Sequence, residues 1–275
     1  MTDQAVSETV SSAAPPVWSQ LRFEAGEAAR EEPSLASYIT ATILDHEQFA
    51  CALGFRLADQ LADAQVTSLQ IRTICEEAYR ADPDIVVAAE RDMQAVFSRD
   101  PACHQMLQPF LYFKGFAALQ SHRIAHWLWG QGRATLAFYF QSRVSKLFQV
   151  DIHPATQIGS GVMLDHATGI VIGETAVIGD DCSILQGVTL GGTGKEVGDR
   201  HPKIGRGVLI SVGAKVLGNI RVGDEAKIAA GSVVLKDVDS RCTVAGVPAR
   251  PVGGPCAEAA KNMDQMLPDV LDYSI

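Results

Sequence analysis

Two groups of titratable residues interrupt an otherwise regular pattern in this chain. Asp165 and His166 sit in the run Leu164-Asp165-His166-Ala167-Thr168-Gly169, and Lys195, Glu196, Asp199, Arg200 and His201 lie between Gly191 and Pro202. Histidine is well suited to removing a proton from a hydroxyl near neutral pH, because its unperturbed pKa is about 6.5. His166 is therefore the candidate general base. A carboxylate beside it would fix the imidazole tautomer and stabilise the imidazolium formed on proton abstraction. Asp151, about one coil earlier in the repeat described next, is the candidate partner. A locally bonded loop histidine fits His166 as well, and a domain junction and a helix cap fit Asp151 and Asp100. Spacing alone leads to an acid/base site on a repeat protein.

The elements that must position these groups follow from two different periods. From about Pro33 to Val150 the apolar residues keep helical spacing, as in Leu53, Leu57 and Leu61, or Ile71 and Ile74. Asp82-Pro83 and Asp100-Pro101 each place an acceptor side chain before a proline, the pattern of a helix start. Beyond that stretch an aliphatic residue recurs every six positions. Ile152, Ile158 and Leu164 open the series; after a slip of two it resumes at Ile172, Ile178, Ile184 and Leu190. After a longer excursion it continues at Ile204, Ile210, Val216, Val222, Ile228 and Val234. Three such faces make a triangular coil of about 18 residues, a parallel β-helix with the aliphatics stacked inside. Both interruptions of the repeat carry the titratable groups, and a solenoid has no structural need for extra residues there.

The expected class is α+β. Residues 1–32 read as a flexible segment, 33–148 as an all-helical domain, 149–252 as the β-helix and 253–275 as a tail. A formal charge of -9 gives no basic footprint for nucleic acid. No apolar stretch is long enough to span a membrane and the start lacks a secretion signal, so a cytoplasmic location is expected. The six cysteines never form a C-x-x-C pair, which fits reduced packing groups rather than zinc or a disulfide framework.

At the level of motifs the chain resembles serine acetyltransferases. The likeness rests on Gln149-Val150-Asp151-Ile152-His153-Pro154, Leu164 to Gly169, Gly191-Gly192-Thr193-Gly194-Lys195, Gly198-Asp199-Arg200-His201-Pro202 and Ala245-Gly246-Val247-Pro248-Ala249-Arg250. It extends into the helical half through Ser98-Arg99-Asp100-Pro101-Ala102 and His126-Trp127-Leu128-Trp129, covering roughly Ala36 to Val252. The resemblance implies a left-handed β-helix and acetyl transfer from acetyl-CoA to the hydroxyl of L-serine, the first step of cysteine biosynthesis. It implies that His166 removes the hydroxyl proton with Asp151 orienting the ring. Asp100 and Asp165 would meet the serine ammonium, and Arg200 and His201 its carboxylate. His201 would also stabilise the tetrahedral intermediate, and Glu174 falls in a loop matching the family site.

The resemblance further implies that the pantetheine arm of acetyl-CoA runs between coils of neighbouring subunits, near Gly192, Thr193, Gly213 and Ala230. It implies trimers paired through their helical halves, feedback inhibition by L-cysteine, and docking of the terminal Ile275 into O-acetylserine sulfhydrylase. Tyr273-Ser274 departs from the acidic and glycine residues common before that isoleucine. Three other readings compete. A hexapeptide acetyltransferase for a different hydroxyl would share His166 and the coil without needing Asp100, Arg200 and His201. A γ-class carbonic anhydrase would need a closely spaced histidine pair, which His153, His166 and His201 do not supply, so no metal is expected. A non-enzymatic scaffold would release no thiol from acetyl-CoA.

Overall fold

The sixfold repeat becomes three stacked columns in the computed structural model, which describes residues 16–194, 197–253 and 255–267. Face one is built from β1 (Val150–Ile152), β4 (Ile170–Ile172), β7 (Thr189–Gly191), β10 (Lys215–Leu217) and β13 (Val233–Val234). Face two contains β2 (Gln157–Ile158), β5 (Val177–Ile178), β8 (Lys203–Ile204) and β11 (Arg221–Val222). Face three contains β3 (Met163–Asp165), β6 (Ser183–Leu185), β9 (Leu209–Ile210), β12 (Lys227–Ile228) and β14 (Thr243–Gly246), closed by the antiparallel β15 (Ala249–Pro251).

Every aliphatic of the series lies on a strand, directly above its counterpart one coil away. Ile152 pairs with Ile172, Ile172 with Leu190, Leu190 with Val216 and Val216 with Val234. Ile158, Ile178, Ile204 and Val222 form the second column, and Leu164, Ile184, Ile210, Ile228 and Val244 the third. All of these are buried except Ile158, which is partly covered. Full burial of such a side chain is worth about 1.5–3 kcal/mol, so a register shift that exposed one column would cost several times that. Extra residues can leave only at the corners.

The helical half packs on the first coils. Its elements are α1 (Val17–Glu31), α2 (Ala36–Ile39), α3 (Phe49–Leu61), α4 (Ser68–Ala81), α5 (Asp84–Arg99), α6 (Leu107–Leu111), α7 (Lys114–Gly130) and α8 (Ala134–Phe148). α3 buries Leu53, Leu57 and Leu61 on one face. α7 is buried along nearly its whole circumference, because it lies between the other helices and the coil. Among the described residues no helix is long and apolar enough to cross a membrane. All six cysteines are free thiols.

Two expectations are corrected. The segment 1–32 is not uniformly flexible: Val17, Leu21 and Ala25 recur at helical spacing and are buried in α1, and buried Glu24 accepts from the Leu107 amide at 2.9 Å. Asp100-Pro101 does not start a helix. Asp100 caps the end of α5 with extended backbone, its carboxylate accepts from the Ala102 amide at 2.8 Å, and the next helix begins at Leu107. A residue before proline is pushed out of the helical region, so the same dipeptide that can open a helix ends one here. At Asp82-Pro83 the Asp82 carboxylate does accept from the Asp84 amide, 3.3 Å away, and α5 follows.

One buried ion pair fastens the two halves together. Arg123 on α7 donates from Nη2 at 2.7 Å and Nε at 3.0 Å to Asp92 Oδ2 on α5. Its guanidinium also reaches the Gly159 and Ile158 carbonyls of the first coil, while Asp92 Oδ1 accepts from the Val162 amide at 2.9 Å. Burial raises the Asp92 carboxyl above its ordinary range and Arg123 opposes that shift. Removing one partner leaves a buried charge uncompensated. Asp92→Ala is expected to lose about 3–5 kcal/mol of stability, read as a lowered urea midpoint.

Candidate active site

The extra residues between β3 and β4 form the corner joining face three to face one, and His166 stands on it. His166 and Ala167 adopt left-handed backbone, with φ of 53° and 62°, and the Gly169 amide donates to the Gln149 carbonyl at 2.7 Å. The corner is buttressed by α7. A Cβ on Gly115 would lie 2.0 Å from the Leu164 carbonyl oxygen, so only glycine lets the helix approach β3 this closely. Lys114 beside it donates to the Thr168 hydroxyl.

Asp100, Asp165 and His166 line one cavity of about 350 Å³ with Lys114, Tyr112 and Phe113. The His166 side chain is 72% exposed and its Nε2 lies 3.7 Å from Asp165 Oδ1. Burial raises the Asp165 carboxyl above its ordinary range, with His166 opposing and nearby Asp100 adding to the rise. Two carboxylates beside an imidazole suit a small cation with several N–H donors. The expected partnership of Asp151 with His166 is not formed within this chain. Among the described residues, Asp151 on β1 accepts from Gln141 Nε2 at 2.6 Å, and the ion-pair partner of His166 is Asp165.

The second group occupies the other end of face one, at its corner with face two. Glu174 and Thr175 follow β4, and Arg200 and His201 end the long loop between β7 and β8. Arg200 Nη2 donates to Glu174 Oε2 at 2.8 Å, which holds the glutamate carboxyl below its usual range. Buried His201 is pushed below the ordinary histidine pKa, first by burial and then by Arg200. Thr175, which sequence reasoning passed over, anchors the pair: its hydroxyl accepts from the amides of Arg200 at 3.0 Å and His201 at 3.1 Å. No local pattern could reveal it, because its partners lie more than two coil faces away along the chain.

The remaining site residues divide between the same two edges. Gly213 and Ala230 lie on the corners after β9 and β12, above His166, while Gly192 and Thr193 follow β7 on the edge that carries Arg200. The structure thus groups Asp100 and Asp165 with His166, and Glu174 and Arg200 with His201, without joining the two groups in one chain. Of the three histidines weighed as zinc ligands, His166 stands on its own edge, while His153 and His201 both lie near Glu174 and Arg200 with their rings engaged elsewhere. His153 packs edge-on against Trp129 and Phe138, with ring centroids 5.3 and 5.5 Å away, and His201 is turned onto Thr175. Ile275 lies outside the described residues.

Comparison with known proteins fixes the family. A model described as the N-terminal part of serine acetyltransferase matches residues 17–121, and one of bacterial transferase hexapeptide repeats matches 201–236. The serine acetyltransferase of Salmonella typhimurium is 57% identical over 250 residues, 90% of this chain and 92% of the relative. The chain belongs to the serine acetyltransferase family. The enzyme is therefore an acyltransferase that acetylates serine on oxygen. The likeness begins at the first turn of α1, earlier than the motifs near Ala36 suggest.

Solved serine acetyltransferases share the fold of this enzyme. One in complex with cysteine is 54% identical, with a TM-score of 0.90 over 91% of this chain and 98% of the other. The Brucella abortus enzyme in complex with coenzyme A is 52% identical, with a TM-score of 0.87 over 89% and 97%. The Neisseria gonorrhoeae enzyme in complex with serine is 51% identical, with a TM-score of 0.84 over 86% and 97%.

A close approach sets the His201 ring. A Cβ on Gly173 would sit 2.0 Å from its Nε2, so any larger residue must displace the imidazole. Gly173→Ala is expected to lower kcat/KM for serine by about 10²-fold, the usual effect of a misplacement of about 1 Å, with an unchanged circular dichroism spectrum.

Proposed function

We propose that the enzyme transfers the acetyl group of acetyl-CoA to the serine hydroxyl in a site assembled from two neighbouring subunits. The observation that carries this reading is the division of the site residues between two edges of one prism at the same height. The edge between faces three and one offers a base and two carboxylates. The edge between faces one and two offers a guanidinium and an imidazole. An amino acid needs both, its ammonium on Asp100 and Asp165 and its carboxylate on Arg200 and His201. A cyclic trimer that seats one edge of each copy against the other edge of the next supplies three complete sites and closes on itself. Face one then turns inward, which would cover Val171, 41% exposed on the middle of β4.

In this site His166 takes the hydroxyl proton and the alkoxide attacks the thioester carbonyl; the tetrahedral intermediate then collapses with cleavage of the C–S bond, and the imidazolium returns its proton to the departing thiolate. When the serine ammonium engages Asp165, the exposed His166 ring is released to turn toward Asp151, which orients it and stabilises the imidazolium. His201 and Arg200 then face the developing oxyanion with donors already in place. The pantetheine arm lies between the stacked corners bearing Gly213 and Ala230 on one subunit and Gly192 and Thr193 on the next. The coenzyme A and serine complexes of relatives support these occupants.

The helical part, 33–148, serves oligomerisation and supplies Asp100, while 149–252 is the catalytic coil. Trimers pair through the helical parts. L-Cysteine, seen bound to a relative, inhibits at the serine site because it carries the same ammonium and carboxylate. The tail ending in Ile275 recruits O-acetylserine sulfhydrylase, which consumes the product in cysteine biosynthesis. The enzyme works in the cytoplasm.

Coenzyme A release from acetyl-CoA is expected with L-serine and not with homoserine, sugars or no acceptor. His166→Ala should keep the oligomer and lose about 10² to 10⁴ of turnover, the contribution of a positioned base. Release with a sugar acceptor, or full activity in that variant, would refute this mechanism.

A further inference from the structure

We infer that Thr175 is a positioning residue that locks His201 in one neutral tautomer, with its proton on Nε2, and so makes His201 a fixed hydrogen-bond donor that cannot act as the base. The inference deepens the reading above, in which His201 meets the serine carboxylate, and rests on it.

The argument is a count of donors and lone pairs. A threonine hydroxyl has one hydrogen and two lone pairs. Both lone pairs of Thr175 Oγ1 are occupied, by the Arg200 amide at 3.0 Å and the His201 amide at 3.1 Å. Its hydrogen is left to donate; His201 Nδ1 lies 2.9 Å away in good geometry, with the Asp199 carboxylate the other acceptor beside the hydroxyl. The Thr175 backbone amide, which can only donate, points at the same Nδ1 from 3.2 Å. Two donors converge on one ring nitrogen, so Nδ1 must be unprotonated. Protonating it would break both bonds inside a buried side chain, at the cost of leaving donors unmatched. The ring therefore carries its hydrogen on Nε2, the nitrogen that takes no partner among the described residues and lies over Gly173.

The same short turn orients the second donor. Glu174 fixes the Arg200 guanidinium from one side while Thr175 fixes the start of the Arg200-His201 backbone and the ring tautomer. Lys203 ties the turn from beneath, donating to the Thr175 carbonyl at 2.6 Å and the His201 carbonyl at 3.0 Å. Residues 173–175 thus form a template that presents N–H donors of Arg200 and His201, with the Glu174 carboxylate turned onto the guanidinium. Such a pair of donors suits a carboxylate and a developing oxyanion, and the His201 ring keeps no free lone pair to take a hydroxyl proton. The role of base falls to His166 by chemistry as well as by position.

The test is carried out on the whole enzyme labelled with ¹⁵N histidine, with His201→Gln identifying the resonances of His201 among the seven histidines. At pH 7.5 the His201 ring should show one protonated and one unprotonated nitrogen, with the proton on Nε2. Thr175→Val should lose that fixed pattern and raise KM for serine about 10-fold or more, because the hydroxyl's three hydrogen bonds are lost together, with a smaller change in kcat. Thr175→Ser, which restores the hydroxyl, should return KM to within about 2-fold of the parent. A cationic ring, or a proton on Nδ1, in the unmodified enzyme overturns the lock whatever serine does. A locked ring whose loss in Thr175→Val leaves KM for serine unchanged overturns instead the carboxylate role given to His201, and this inference with it.

Discussion

The stacking of one aliphatic side chain on another, coil after coil, is the constraint on which the rest depends. Ile172, Leu190, Val216 and Val234 sit in register on face one, and two more columns repeat the arrangement. Because each face is six residues long and closed on itself, the coil tolerates no insertion within a strand. The two insertions in the repeat are forced to corners, and corners are where side chains and loops reach solvent. Chemistry is confined to the edges by the packing of the interior.

The edges differ because different parts of the chain support them. The corner bearing His166 leans on α7, where Gly115 permits contact with Leu164, and on α5, whose last turn delivers Asp100. The Asp92–Arg123 pair holds both helices to the first coil, so an interaction remote from the imidazole sets one wall of its cavity. The opposite edge owes its order to the coil alone: Glu174 and Thr175 from one layer catch Arg200 and His201 as the long loop returns. One edge collects negative charge beside a base, and the other collects donors. This polarity matches the two ends of a zwitterion, as the proposed site shared between neighbouring subunits requires.

Much of this was legible in the sequence, for a reason that also explains what was not. The repeat is local, so its aliphatic positions could be placed on strands one by one, and only the coil that skips to Val244 escaped the series. The two interruptions were equally plain. Contacts between distant segments were not. Thr175 looks like any turn threonine until the loop folds back on it, and Gln141 gives no sign that it will take Asp151. Local ambiguity accounts for the other differences. Asp100-Pro101 carries the residues of a helix start, yet the backbone before proline is extended and ends α5 instead. Val17, Leu21 and Ala25 form a sparse stripe among acidic residues, enough to hold α1 once α6 offers a partner for Glu24.

The shared site is tested most directly by mixing two inactive enzymes. A His166→Ala chain keeps an intact donor edge, and an Arg200→Ala chain keeps an intact base edge. If each site draws one edge from each of two neighbours, unfolding the two together and refolding them as mixed trimers should restore activity. In a random cyclic trimer about one quarter of the sites pair two intact edges, so about one quarter of the parental turnover is expected where each variant alone has almost none. Activity no higher than that of the separate variants, in mixtures shown by mass spectrometry to contain both chains, would mean that each subunit works alone.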